Sequence, residues 1–387
     1  MRIVVSGFLG LFPAGGVAWD YIQYPLGFKA LGHDVYYVED TGLWPVFQVN
    51  QEDAGQANAR YLDALMSSFG LQGKWAYRDE ASGRWFGLDR ARVARLLESA
   101  DVFVNVSCAN VLRDEYMSVP VRILVDSDPM FTQVQIIKGA GMTKGSGGLA
   151  NDIPSYTHLF TFGENMGAED CRVPDGGLAW IPTRQPVALD LWENDRQPSS
   201  MSATTVMNWS VTGDIEFSGQ SWGQKRRQWP IISGLPKALL STDFRVAVGQ
   251  TSGAPFPEAE ARATGWSVLD ASEAVPDWSS YREFVLASAV ELSVAKHAYV
   301  AARTGWFSCR SACYLAASRP VVVEETGWSR TIPEGSGAIA FETEEQAVEA
   351  LQRVVRDWQT HSSAARTLAM EHFDGRKVLS DMLRAAT

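Results

Sequence analysis

Two α/β domains, each built on a largely parallel sheet, are what this sequence predicts. Three observations carry the prediction. The chain opens as strand, glycine-rich loop, helix, strand, a βαβ unit that commits the first half to parallel pairing. A second unit of related kind, Arg303 to Trp328 (RTGWFSCRSACYLAASRPVVVEETGW), runs turn, helix, strand, acidic loop. Between them, Asp190 to Ser202 is polar, carries Pro198 and lacks periodicity, which marks a boundary. At 387 residues the chain is too long for one hydrophobic core and natural for two.

The elements follow in order. Arg2 to Ser6 is a β-branched strand and Gly7 to Gly16 a glycine-rich loop. A helix over Ala18 to Leu31 is closed by Gly32. His33 to Val38 is a strand ending at Glu39-Asp40. Helices are predicted over Ala54 to Phe69 and Leu88 to Ser99, and strands over Asp101 to Val106, Val121 to Val125 and Thr157 to Phe162. Lys138 to Asn151 is glycine-rich but lacks a G-x-x-x-x-G-K-[ST] sequence, so it reads as a surface loop near the cleft. In the second half, strands are expected at Ala203 to Asn208, Phe244 to Val248, Trp266 to Leu269, Arg319 to Val323 and Ala338 to Phe341. A loop is expected over Trp209 to Gly223, and helices near Ala259 to Ala263 and Trp278 to Leu286. Thr343 caps a helix with Glu344 and Glu345 in its first turn. One or two helices finish the chain through Ser380 to Ala386. The domains are thus residues 1–197 and 198–360, with C-terminal helices over 361–387 packing back toward the first domain. The two domains are expected to face each other across a cleft.

Composition narrows the function. Apolar residues make up 46% of the chain and charged ones 20%, the balance of a folded globular protein. A net charge of −11 argues against a general polyanion binder, since bulk nucleic-acid affinity needs a basic surface. The four cysteines form no C-x-x-C pair, which speaks against zinc and fits a reduced, cytoplasmic setting. The apolar start is broken by Ser6, glycines and Pro13, so it reads as a strand and loop rather than a signal peptide. No segment is long and apolar enough to span a membrane.

The 303–328 unit carries the chemistry. A helix start preceded by Gly305 and Ser308 presents N–H groups and the positive end of its dipole, which suits a phosphate. A loop beyond a parallel strand lies where open α/β sheets bind ligands. This points to a nucleotide diphosphate at one end and a sugar at the other.

The stretch GWFSCRSACYLAASRPVVVEETG, with two α/β halves and a glycine-rich loop after the first strand, resembles a GT-B-fold glycosyltransferase of bacterial or phage type and unassigned substrate. The likeness is strong over Glu291 to Phe341 and diffuse elsewhere. Many retaining members carry two Glu with seven residues between them. Aligned on Pro320, Gly305 and Cys313 stand in their places, so the resemblance implies an inverting enzyme. Arg303-Thr304 stand where the plant-type motif has His-Cys, so uridine is not implied as the donor base.

The resemblance implies an acceptor-binding first domain and a donor-binding second domain. For the diphosphate the candidates are Gly305, Trp306, Ser308, Arg310 and Ser311, with Lys225, Arg226 and Lys296 as cations, an arrangement that needs no metal and no cofactor beyond the donor. For the sugar they are Glu325, Thr326 and Gly327, with Glu324 expected to point away by strand alternation. Asp20 is the first candidate for the catalytic base and Asp128 the second; Trp19, Asp126 and Glu164 are placed along the acceptor. Asp126-Ser127-Asp128 also has the D-x-D spacing of a divalent-metal motif, but lies far in sequence from the donor segment. The acceptor stays open among a small molecule, a glycan, a protein and a modified nucleobase in DNA. A nucleotide-sugar epimerase and a non-catalytic nucleotide-sugar binder are the alternatives.

Overall fold

The structure, a computed structural model, describes residues 1–44, 53–139, 149–209, 213–249 and 253–387. Most of the loop expected at Lys138 to Asn151, and part of the one at Trp209 to Gly223, lies outside them. The chain forms two compact units. Unit 1 comprises Met1–Gly163, Pro174–Ala188 and Gly375–Thr387; unit 2 comprises Glu164–Val173 and Leu189–Asp374. The division therefore falls at Ala188 and Leu189, ahead of the expected 197/198. The stretch Asp190 to Ser202 belongs wholly to unit 2.

Unit 1 is built on an eight-stranded sheet among the described residues. Its strands are β1 (Arg2–Ser6), β2 (Asp34–Glu39), β3 (Trp75–Arg78), β4 (Trp85–Gly87), β5 (Val102–Val106), β6 (Val121–Asp126), β7 (His158–Thr161) and β8 (Trp180–Pro182). The order is β4-β3-β2-β1-β5-β6-β7-β8. Only the β3–β4 edge pair is antiparallel. β1 and β5 are buried almost throughout, because helices cover both faces of a parallel sheet. Sequence order reverses between β1 and β5, where such sheets bind ligands.

The first helix, Gly15–Ala30, starts three residues earlier than expected. Glycines are tolerated in a first turn, whose N–H groups have no intrahelical partner in any case. The helix is buried broadly, at Trp19, Ile22, Tyr24 and Phe28 among others. Its outer side is covered by the last helix, Gly375–Ala386, which belongs to unit 1, while Trp358–Leu368 belongs to unit 2. The two helices touch closely at Gly27, where a Cβ would stand 2.5 Å from Leu379 Cδ1.

The loop after β1 is shaped by Glu39, the last residue of β2. Its carboxylate accepts hydrogen bonds from Gly10 N–H (2.8 Å), Leu11 N–H (2.6 Å) and the Tyr37 hydroxyl (2.6 Å), and that hydroxyl accepts from Leu9 N–H (3.0 Å). Glu39 is fully buried. Burial outweighs all three donors and pushes its pKa from 4.5 up to about 7.

Unit 2 carries a six-stranded, fully parallel sheet among the described residues. Its strands are β9 (Ser202–Asn208), β12 (Asp243–Gly249), β13 (Ser267–Asp270), β14 (Val290–Ser293), β15 (Val321–Glu324) and β16 (Ala338–Phe341). A short hairpin, β10 (Ile215–Phe217) with β11 (Gln220–Trp222), follows β9. The order β13-β12-β9-β14-β15-β16 is that of a doubly wound dinucleotide-binding sheet. Trp209, Trp229, Trp266, Phe244 and Phe256 interlock in the core, with Trp209 and Trp229 edge-on at 6.2 Å. Thr343 caps helix Glu344–Arg356 in a capping box with Gln346.

Beneath the first turn of helix Cys309–Ala316 lies an ion pair. Arg310 Nε donates to Glu291 Oε1 at 2.5 Å and Nη1 to the Val206 carbonyl at 2.6 Å; Glu291 is fully buried. The pair ties the helix to β14 and β9.

Two outcomes follow from these buried charges. Glu39 is more easily protonated folded than unfolded. Its stabilising contribution is complete below about pH 4.5 and lost as pH rises through about 7. In denaturant titrations across that window, wild type is expected to lose a few kcal/mol relative to Glu39→Gln, with a constant difference outside it. Arg310→Leu leaves Glu291 buried without its partner and is expected to cost about 3–5 kcal/mol. In equilibrium unfolding, Glu291→Leu combined with Arg310→Leu should recover much of that loss.

Candidate functional site

At the carboxyl ends of β14 and β15, unit 2 has a small, shallow recess. Three segments build it. Ser293 to Ala295 leave β14, Trp306 to Ser308 and Ser311 bring the start of helix Cys309–Ala316, and Glu324, Thr326 and Trp328 leave β15. Ser308 is the N-cap residue, yet its hydroxyl makes no capping bond. Ser311 is 1% exposed and its Oγ has no hydrogen-bond partner. A buried hydroxyl without a partner is costly, and here it lines an opening. Phe307 and Trp328, edge-on at 5.3 Å, form the apolar wall.

Glu324 supplies the charge. Its Oε2 accepts from Ala295 N–H at 2.9 Å and its Oε1 from Gln228 Nε2. Burial raises its pKa to about 7, against both donors. This corrects the alternation argument, which turned Glu324 away and favoured Glu325. All four residues of β15 are buried, so no face of this strand is a solvent face. Glu325 is buried too, but its carboxylate accepts from Gly327 N–H and so folds back on its own turn.

The other expected donor residues divide. Trp306 is half-buried and packs on Tyr299 at 4.5 Å, with Lys296 Nζ 5.3 Å from the Tyr299 ring centre. Thr326 Oγ1 donates to the Trp306 carbonyl at 2.6 Å, and Gly305 N–H donates to the Thr326 carbonyl at 2.8 Å. Lys225 is half-buried in a turn with Arg226 and Arg227. Arg226 and Arg227 both pair with Asp214, at 2.8 and 2.6 Å. Arg310, expected at the diphosphate, is instead committed to Glu291. Gly305, expected at the diphosphate, and Gly327, expected to let the backbone approach a sugar, have φ of 78° and 93° and pack against Asn165.

In unit 1, two acceptor-side expectations are corrected. Trp19 is 2% exposed and packs edge-on against Phe69, so its ring has no face to offer a ligand. Asp126 is fully buried and accepts from Gln133 Nε2, Thr161 Oγ1 and Asp128 N–H at 2.7, 2.7 and 2.9 Å. That carboxylate organises the turn and is not open to an acceptor or a metal. Asp128, two residues beyond β6, is half-buried, as is Asp20 in the second turn of the first helix. Glu164 belongs to unit 2. Among the described residues, no group of three or more His, Cys, Asp or Glu is placed to hold a metal, and no helix is long and apolar enough to cross a membrane.

Three residues at the recess, and His297 away from it, carry no signal in the sequence: Ser293 lines it, Gln228 donates to Glu324, and Asn165 packs against Gly305 and Gly327. His297 Nδ1 accepts from Gly223 N–H at 3.2 Å, and burial, then Arg227, lower its pKa. None sits in a local pattern. Gln228, Asn165 and His297 each bond a segment distant in sequence, so only the folded chain reveals them.

No family model matches the sequence, and no curated protein matches it. Solved structures do. An alpha-glucosyltransferase in complex with UDP and a 13-mer DNA containing a HMU base matches with a TM-score of 0.60 at 10% identity, over 99% of this chain and 98% of that one. HepE of Anabaena in complex with UDP-glucose matches at 0.58 and 11%, over 100% of each chain. AviGT4, a glycosyltransferase involved in Avilamycin A biosynthesis, matches at 0.54 and 10%, over 100% of this chain and 97% of that one. At such identities the likeness is one of fold, and the fold of this chain is that of the GT-B glycosyltransferases.

Proposed function

We propose that this protein transfers a sugar from a nucleotide-diphosphate sugar to an acceptor hydroxyl, with inversion and without a metal. The observation that carries the reading is the unit 2 recess, where an uncapped helix start, the unpartnered Ser311 hydroxyl and the Glu324 carboxylate converge. Structures of the same fold are described with UDP and UDP-glucose bound, which supports a nucleotide-sugar donor.

In this reading the N–H groups opening helix Cys309–Ala316, with Ser308 and Ser311, hold the diphosphate, and Lys225 and Lys296 add positive charge. Glu324 takes hydroxyl groups of the donor, because a carboxylate accepts from a diol and repels a phosphate. The acceptor oxygen attacks the anomeric carbon as its bond to the diphosphate breaks. The nucleoside diphosphate leaves with the electron pair, and the acceptor proton passes to Asp128 or Asp20 of unit 1. The acceptor is drawn from small molecules, glycans, proteins and modified nucleobases. The acidic net charge weighs against the last.

A thermal-shift screen over nucleoside diphosphates and nucleotide sugars tests the donor: a ligand of the folded state raises the melting temperature, and no shift with any of them ends the proposal. Glu324→Gln is expected to weaken donor binding roughly 10- to 100-fold, the effect of one charge-assisted hydrogen bond. Wild-type affinity should fall as pH drops below about 7, where Glu324 becomes protonated. Asp128→Asn or Asp20→Asn, whichever removes the base, should cut turnover about 10²–10⁴-fold and leave donor binding intact; if both variants turn over normally, the base lies elsewhere. Incubation with donor alone separates transfer from epimerisation, since an epimer formed without acceptor would remove the transferase reading.

A further inference from the structure

The two glycine turns that frame the recess are joined through one side chain. Asn165, 5% exposed, lies in the segment Glu164–Val173, which follows β7 directly yet belongs to unit 2. Its N–H donates to the Thr304 carbonyl at 3.0 Å. Its Nδ2 donates to the Arg303 carbonyl at 3.2 Å and to the Gly327 carbonyl at 3.0 Å. Both turns are shaped to accept it. A Cβ at Gly305 would stand 2.8 Å from the Asn165 side chain, and one at Gly327 2.3 Å from Nδ2. The next residues in the chain, Trp306 to Ser308 and Trp328, line the recess, as does Thr326 before Gly327.

We propose that Asn165 is a positioning residue for the donor site, setting the turn at Gly305 and the turn at Gly327 in register so that the helix start and the β15 loop face one ligand. The proposal rests on the donor reading above. An amide suits the task because both partners are carbonyl oxygens, which need a donor. A carboxylate of the same shape would repel both. The same segment is also pinned by Asp170, which pairs with Arg303 at 2.9 Å and Arg330 at 2.5 Å, but these groups are largely solvated.

Asn165→Asp tests it, because it keeps the shape and the backbone bond and removes the amide donor. Isothermal titration with UDP, GDP, ADP, dTDP and UDP-glucose, well below the melting temperature of each variant, is expected to show donor affinity lowered roughly ten- to a hundredfold. Asn165→Ser, whose hydroxyl can donate to one carbonyl, should lose less and serves if the Asp variant does not fold. Asp170→Asn is the control for a merely structural role, expected to lower the melting temperature while leaving affinity within twofold. Affinity within twofold of wild type in the Asn165 variants would overturn the inference alone. So would an equal loss in Asp170→Asn, which would mean that affinity tracks stability. Wild type binding none of the five ligands would remove the donor reading and the inference together.

Discussion

A carboxylate on the last residue of a buried strand, turned to hydrogen-bond neighbouring segments, recurs at Glu39, Asp126 and Glu324 among the described residues. Glu39 ends β2 and gathers the loop after β1. Asp126 ends β6 and holds Gln133, Thr161 and the turn at Asp128. Glu324 ends β15 and takes Ala295 N–H and Gln228. Parallel strands end with their loops on one edge, where polar backbone groups would otherwise be buried without partners. A strand-terminal carboxylate answers several of them at once. The cost is desolvation, and it is visible in the upward pKa of all three. The loops of both units depend on this arrangement.

The three carboxylates differ in what remains open. Asp126 is enclosed by its partners and serves structure. Glu39 holds its loop through two backbone donors and a tyrosine hydroxyl. Glu324 lines an opening beside an unpartnered serine hydroxyl, which makes it the one of the three poised for a ligand. The same device thus yields scaffold and site according to how many donors surround it.

Much of the fold was legible in the sequence, because parallel strands covered on both faces read as short apolar runs between helix and turn signals. RIVVS, VFVNV and RPVVVE are of this kind. What escaped were pieces without that signature: the β3–β4 edge pair, whose aromatic runs WAYR and WFG are short, and the β10–β11 hairpin, which turns at Ser218-Gly219 with positive φ at both. In the site, the placement of Ser308 and Ser311 at a helix start was legible. The choice between Glu324 and Glu325 was not, because alternation discriminates only where one face meets water. Arg310 looked like a phosphate ligand until Glu291, nineteen positions earlier, was found against it. Pairings of that kind belong to the fold, since nothing local in the sequence encodes them.

The last helix has a consequence for how the chain comes into being. Unit 1 is not one continuous stretch: it is completed by Gly375–Ala386, whose Leu379 seats against Gly27. During vectorial synthesis an N-terminal domain ordinarily folds first. Here the first helix keeps an apolar flank uncovered until all of unit 2 has been made. The emerging unit 1 therefore waits, incompletely sealed, for a segment from the far end of the chain, and a ribosome-stalled or truncated product ending before Gly375 would expose that flank.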